Sequence, residues 1–410
     1  MIPADPTAPP GEISGDRMVA TVAALAADDF AGRRVGSAGG AAARGWLADQ
    51  LVVLGATVET DEFPLRAVPE LAAAPTVTWG AGTSAHRLTA GRQVAVHLAS
   101  AYTAEVRRGR LGVAGAGDPA GRWLVVPAGM SLFDAYGYAH GATGLLLSRP
   151  VDADGWQYTT LAGPDPGPLP ALTLDPATHR ALLAAAGEQG WLAADAPLRR
   201  LDVTGTNLHA TVRRAAPGGP DVLLTAHYDG VGDHPGLRQP GASDNASGVA
   251  VVLEAARILA AEAGDGVGLS VALLDAEEIG ALGSARHARR LRAAGADPLV
   301  VNVDGAGRLD RAAAVEAGGP AHRLLALLDQ AGRQVGVPLV AGPVASDNRR
   351  YGGAGFAAVG IGAGMAGYHS PADTAERVEP ATLTALARLV VATVRLAASA
   401  PATLSSPIGD

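Results

Sequence analysis

The sequence predicts an α/β protein: a mixed, mostly parallel sheet sandwiched by helices, with a strand-rich module inserted into it. Three observations carry that expectation. From residue 221 onward, short apolar runs alternate with stretches of helical periodicity, the pattern of parallel strands joined by crossover helices. Residues 65–201 have another texture, short β-like runs separated by Gly, Pro and Asp clusters. A chain of 410 residues is also long enough for two or three domains with buried cores. The expected division is a discontinuous main domain, residues 12–64 with 202–402, and an inserted module over 65–201.

In chain order, the first dozen residues are Pro-rich and read as a flexible lead-in. Residues 13–54 carry a helical pattern broken by Gly32-Arg33-Arg34-Val35-Gly36-Ser37-Ala38-Gly39, whose glycines and serine suit a loop feeding a helix N-terminus. That helix runs through Ala42, Trp46, Leu47 and Leu51. Within the module the β-like runs fall at 123–126, 144–147 and 169–174. Beyond it, strands are predicted at 222–226, 269–274, 299–303 and 357–361. The helix after Asn245 places Val249, Val252, Leu253 and Ala256 on one stripe, and the last helix does the same with Leu383, Leu386, Val390 and Val394. Both stripes are expected to face the core.

Composition removes several classes of chemistry. Asp and Glu number 40 against 32 basic residues, a net charge of -8, so neither a nucleic acid nor an anionic membrane is an expected partner. The chain has no Cys and no Lys. Thiolate metal sites, Fe–S clusters, Cys nucleophiles, Lys Schiff bases and the phosphate-binding P-loop are therefore excluded. What remains for catalysis is carboxylate, imidazole, phenol, hydroxyl and guanidinium. The most apolar tail, 383–400, is interrupted by Arg388 and Arg395. No signal peptide is visible at Met1-Ile2-Pro3-Ala4-Asp5-Pro6, so the expected location is cytoplasmic as the sequence stands, and secreted if that start is a trimmed one.

The informative polar groups sit at predicted strand ends. The run 222–226 leads into His227-Tyr228-Asp229, the run 269–274 into Asp275-Ala276-Glu277-Glu278, and Asn302-Val303 into Asp304-Gly305. Ligands of open α/β sheets bind outside the carboxyl ends of the strands, so these groups converge on one crevice. Asp244-Asn245-Ala246-Ser247-Gly248 opens a helix between the first two, and Tyr368-His369-Ser370-Pro371-Ala372-Asp373 is a polar loop after the last predicted strand. His227, Asp244, Glu277, Glu278, Asp304 and His369 exceed what one metal ion requires and match the inventory of a two-metal hydrolytic site sharing a carboxylate. Of two adjacent glutamates, one can ligate while the other faces the reacting water as base. Asp229, two residues past His227, is placed to hold the other imidazole nitrogen.

These blocks, with Gly283-Ser284 after the glutamates, resemble in order the five signature blocks of the co-catalytic di-zinc aminopeptidases of the aminopeptidase Y and bacterial leucyl aminopeptidase type. The resemblance covers residues 207–400, and Gly32-Arg33-Arg34-Val35-Gly36-Ser37 is similar to a loop near the start of that family's catalytic domain. Ala139-His140-Gly141-Ala142-Thr143-Gly144 and Leu169-Pro170-Ala171-Leu172 more weakly resemble the protease-associated insert of some members. The resemblance implies two zinc ions bridged by Asp244, with His227 and Asp304 on one and Glu278 and His369 on the other. It further implies Glu277 as general base, Tyr368 as the hydroxyl steadying the oxyanion, and peptides with a free N-terminus as substrates. The loop from His227 to Asp244 is longer than in compact members and is expected to shape the pocket.

Other readings stand beside these. Tyr368 also suits packing against the sheet, and Asp347 in Ala345-Ser346-Asp347-Asn348 resembles a further family loop near the pocket but equally suits a simple turn. His86, His97, His140, His179, His209, His287 and His322 fit no block and are expected to be surface or structural. The competing functions are another di-zinc amidohydrolase on the same fold (a carboxypeptidase or an N-acyl-amino-acid deacylase), a cyclase of N-terminal glutamine on the related single-zinc site, and a non-catalytic receptor-like relative.

Overall fold

A computed structural model describes residues 12–262 and 266–399. The Pro-rich lead-in before residue 12 and the last residues of the expected 202–402 segment lie outside the described residues. Helices α1 (Gly15–Leu25) and α2 (Ala38–Val53) come first, each started by a serine cap: Ser14 Oγ accepts the Arg17 N–H at 3.2 Å and Ser37 Oγ the Gly40 N–H at 3.0 Å. Strand β1 (Thr57–Leu71) then leads into the second module. That module holds β2 (Val77–Gly80), β3 (His86–Arg87), β4 (Val94–Val96), β5 (Thr103–Val113), β6 (Arg122–Val125), α3 (Leu132–Gly137), β7 (Gly144–Ser148), β8 (Ala171–Leu174), α4 (Pro176–Gly187) and β9 (Trp191–Ala196). The chain returns through β10 (Leu198–Arg213), β11 (Asp221–His227), α5 (Ser247–Ala260), β12 (Gly268–Leu274), α6 (Leu282–Ala293) and β13 (Leu299–Val303). It ends with β14 (Ala313–Gly318), α7 (His322–Val335), β15 (Leu339–Ala341), α8 (Asn348–Gly353), β16 (Ala358–Gly362) and α9 (Pro380–Ser399).

The main sheet has the order β1-β10-β12-β11-β13-β16-β14-β15, and the second sheet the order β3-β2-β9-β5-β6-β7-β8-β4. In the main sheet β12, β11, β13 and β16 are parallel, and they are the near-continuous apolar runs that burial on both faces requires. Strand β10 runs antiparallel to β1 and β12, and β14 runs antiparallel to β16, so the sheet is mixed, as the sequence predicts. Helices α1, α5, α7 and α9 cover one face, where Leu224, Val249, Val252, Leu273 and Val390 form the larger core. Helices α6 and α8 cover the other, over Leu223, Leu274, Val300, Tyr351 and Phe356.

One long element is not anticipated by pattern. Strands β1 and β10 form a single antiparallel ladder from Thr57↔Thr211 to Leu71↔Leu198, bulged between Leu65 and Val68, and so run across the expected boundaries at 65 and 201. Charged residues along β1, among them Glu59, Asp61 and Glu62, mask its apolar alternation. They suit an edge strand, where charge discourages pairing with another chain. Helix α9 is long and apolar enough by length and composition to cross a membrane, but Leu383, Leu386, Leu389, Val390 and Val394 are buried against the rest of the core.

Candidate metal centre

Strands β11, β12 and β13 end side by side, because Leu224 pairs with Val271 on one side and Val301 on the other. The residues following them therefore share one crevice. His227 closes β11, Glu277 and Glu278 lie in the turn after β12, and Asp304 follows β13. The loop before α5 brings Asp244, and the loop after β16 brings His369, whose φ of +52° turns its side chain back toward the crevice.

The geometry divides these side chains into two triads. His227 Nε2 lies 3.3 Å from Asp244 Oδ1 and 3.4 Å from Asp304 Oδ1. His369 Nε2 lies 3.0 Å from Asp244 Oδ2 and 2.9 Å from Glu278 Oε2. Within each triad one ligand atom per residue lies within 4.8 Å of the others, and Asp244 belongs to both. All five residues are buried. Burial works against charge on His227, Asp244, Glu278 and His369. Even so, the facing carboxylates hold the His227 and His369 imidazoles well above their ordinary pKa, and hydrogen bonds from those imidazoles hold Asp244 below its own. Burial raises Glu278, and the Asp244 charge adds to the rise.

Buried carboxylates facing imidazole nitrogens require positive charge between them, and thiol-free N and O donors suit a borderline divalent ion such as zinc. Glu278 Oε1 and His369 Nδ1 are buried with no hydrogen-bond partner among the described residues. The donor set therefore fits two divalent ions.

Surrounding groups fix these side chains. Asn245 Oδ1 accepts the N–H of Gly248 at 3.0 Å and of Gly305 at 3.1 Å, while its Nδ2 donates to the Val303 carbonyl at 3.0 Å, so the Asp244 loop is tied to the end of β13. A side chain at 248 would bring a Cβ within 2.5 Å of that same carbonyl, which is why glycine follows. Asp373 accepts the N–H of Ser243 at 2.6 Å and of Asp244 at 3.0 Å. Asp229 is fully buried; Oδ1 and Oδ2 accept the N–H groups of Glu277 and Glu278 at 3.1 and 3.2 Å. Its Oδ1 lies 3.5 Å from His227 Nδ1, farther than its own backbone carbonyl at 3.2 Å, so Asp229 aims the glutamates more directly than it holds the histidine.

Residues 207–394 match the model of peptidase family M28. The chain is accordingly an enzyme of the metallo-exopeptidase class acting on peptides. Among solved structures it is similar to an aminopeptidase from Aneurinibacillus sp. strain AM-1, at 22% identity and a TM-score of 0.72 over 97% of each chain. It is similar to BSAP, a zinc aminopeptidase from Bacillus subtilis, at 21% identity and a TM-score of 0.74 over 96% of this chain and 98% of that one. The peptidase M28 precursor from Shewanella amazonensis SB2B follows at 17% identity and a TM-score of 0.67, covering 94% of this chain and 96% of that one. At these identities the likeness is one of fold, and it spans the second module as well. No curated protein matches the sequence.

Around this centre, Glu277 is held above the ordinary carboxylate range, chiefly by burial. Tyr368 is 47% exposed with its ring stacked on His369 at 3.8 Å, so it does not pack against the sheet; burial of its hydroxyl and the nearby carboxylates keep it protonated. Asp347 is fully buried, with neither oxygen hydrogen-bonded among the described residues, and burial pushes it up to about 7. His287 and His209 are structural: His287 Nε2 meets His209 Nδ1 at 3.0 Å and His287 Nδ1 meets the Tyr351 hydroxyl at 2.6 Å. Sequence reasoning assigns no role to Arg33, which is fully buried and donates to the carbonyls of Leu25, Tyr228, Pro240 and Gly241 at 2.7–2.8 Å. Its signal was present in the Gly-Arg-Arg-Val-Gly-Ser loop, but pairing a guanidinium with four carbonyls is a tertiary fact.

Proposed function

We propose that this chain is a zinc-dependent aminopeptidase that hydrolyses the first peptide bond of peptides with a free N-terminus. The observation carrying the reading is Asp244, whose two oxygens face two separate imidazole–carboxylate pairs. In this reading His227 and Asp304 hold one zinc ion, Glu278 and His369 the other, and Asp244 both. Zinc bound there supplies positive charge that polarises a carbonyl and acidifies water. Glu277, raised by burial, takes a proton from the attacking water and passes it to the leaving amine. Tyr368 keeps its proton and donates to the oxyanion.

The second module is read as a protease-associated-like lid over the cleft. Two contacts support that role: the Thr159 N–H donates to the His369 carbonyl at 2.8 Å, and Arg377 forms a two-pronged ion pair with Asp154 at 2.6 and 2.9 Å. A lid braced against a metal-binding loop favours short peptides over folded chains.

The testing experiment compares a short peptide, its N-acetyl form and its C-terminal amide. Acetylation removes a charge-assisted interaction worth ~1.5–3 kcal/mol, so the rate falls about 10- to 100-fold, while amidation leaves it unchanged. An enzyme indifferent to acetylation and disabled by amidation is a carboxypeptidase, and one that prefers the acetylated form is a deacylase.

A further inference from the structure

A cavity of about 70 Å³ lies where the second module meets the main domain. Val96, Leu98 and Leu161 line it from the module, Leu71 and Leu198 from the β1–β10 ladder, and Leu237 from the loop between His227 and Asp244. The tip of that loop fits because position 91 is a glycine at φ +76°, where a Cβ would stand 3.0 Å from Leu237 Cδ1. None of the five triad residues borders the cavity. Thr159 does: its N–H donates to the His369 carbonyl at 2.8 Å, and its Oγ1 accepts from Gln239 Nε2 at 2.7 Å. The cavity therefore lies behind the loop that carries His369, outside the metal crevice.

Its lining holds one charge. No Asp or Glu borders it among the described residues, and burial holds the His234 imidazole in its wall down to about 4, leaving it neutral at pH 7. The remaining group is Arg149, which makes no ion pair among the described residues. Its Cζ lies 4.0 Å from the centre of the Tyr158 ring, which also borders the cavity. Stacking of this kind uses the face of a guanidinium and leaves its N–H edge, which matches a carboxylate with two parallel hydrogen bonds. Tyr158 is 42% exposed and Arg149 half-buried, so a ligand can reach the pair from solvent. The space behind them holds about two waters or a branched alkyl group of about three or four carbons. Water needs several polar partners and suits an apolar wall poorly, so the alkyl group is the better occupant. An ammonium finds no carboxylate there, which disfavours a free amino acid.

We propose that this cavity is a second binding site, for a small carboxylate bearing a branched alkyl group, with the alkyl group in the cavity and the carboxylate on Arg149. The site is independent of the aminopeptidase reading above. Its walls belong to both domains, so an occupant braces the second module against the loops that carry Asp244 and His369.

The test titrates 4-methylpentanoate into the zinc-loaded full chain by calorimetry. The expected Kd is about 0.1–1 mM, and along the series from acetate the affinity rises about 4-fold per added carbon until the cavity is full. The neutral 4-methylpentanamide, and leucine with its added ammonium, each bind at least about 10-fold more weakly. N-acetylleucine presents the same two groups as the C-terminal residue of a peptide: equal binding assigns the natural ligand to peptide ends, and weaker binding to free acids. Arg149→Gln weakens 4-methylpentanoate about 10-fold. Ala95→Leu fills the space that Ala95 borders and abolishes binding, with circular dichroism unchanged. No binding by the wild type, equal affinity for acid and amide, or affinity that ignores both substitutions overturns the proposal. Binding that ignores both and disappears when zinc is chelated places the carboxylate on the metal ions instead.

Discussion

Replacing Asp229 by asparagine changes one oxygen to an amide nitrogen and almost nothing in size. In the native protein its two oxygens accept the N–H groups of Glu277 and Glu278 at 3.1 and 3.2 Å, from a position with no exposure to water. Asparagine keeps one acceptor and turns a donor against the other N–H. A hydrogen bond to a charged group contributes about 1.5–3 kcal/mol and a neutral one about 0.5–1.5, so losing one and weakening the other costs about 3 kcal/mol. An opposing effect comes from Asp275, which burial and the Asp229 charge hold up at about 7. Removing that charge relieves it by roughly 1 kcal/mol. The net is about 2 kcal/mol against the turn that aims Glu277 and Glu278, a turn already strained at Ala276 with φ +63°. The expected outcome is a ~30-fold loss of zinc affinity by chelator competition, in a protein whose circular dichroism matches the wild type. Zinc affinity within a factor of about two of the wild type would refute the role given to Asp229.

Glu277→Gln should keep its metal content and lose at least ~10²–10⁴ in kcat by steady-state assay; loss of metal as well would exchange the roles of the two glutamates. Arg33→Met leaves four buried carbonyls without their donor and should destabilise the fold by about 3–5 kcal/mol, read as a lowered midpoint in urea; an unchanged midpoint contradicts the clamp. Burial, then the nearby positive groups, lower His287 to about 3, so the folded state binds fewer protons than the unfolded state between there and the ordinary value near 6.5. Stability should therefore fall as pH drops below about 6.5, by at most ~1.4 kcal/mol per pH unit from this residue, and His287→Gln should flatten the slope measured by urea titration.

The parallel strands and the five residues that meet in the two triads were legible in the sequence for one physical reason. A strand buried on both faces is a run of apolar residues, and the polar residue that ends it stands out as Asp304 does after Val303. Edge strand β1 was not legible, because its charges hide the alternation. The supporting groups were harder still. Arg33 and Asp373 act on backbone groups 130 or more positions away in sequence, Gln239 acts on the Thr159 hydroxyl across the module boundary, and spacing carries no record of such contacts. Asp229 was found by spacing, but its main partners, the two glutamate N–H groups, depend on how the turn after β12 folds back.

Elemental analysis of the zinc-equilibrated chain beside Asp244→Ala tests the central claim most directly. A carboxylate shared between two triads predicts two zinc ions per wild-type chain and fewer than one in the variant, since one substitution removes a ligand from both positions. A single ion in the wild type, or two ions retained by the variant, would contradict it.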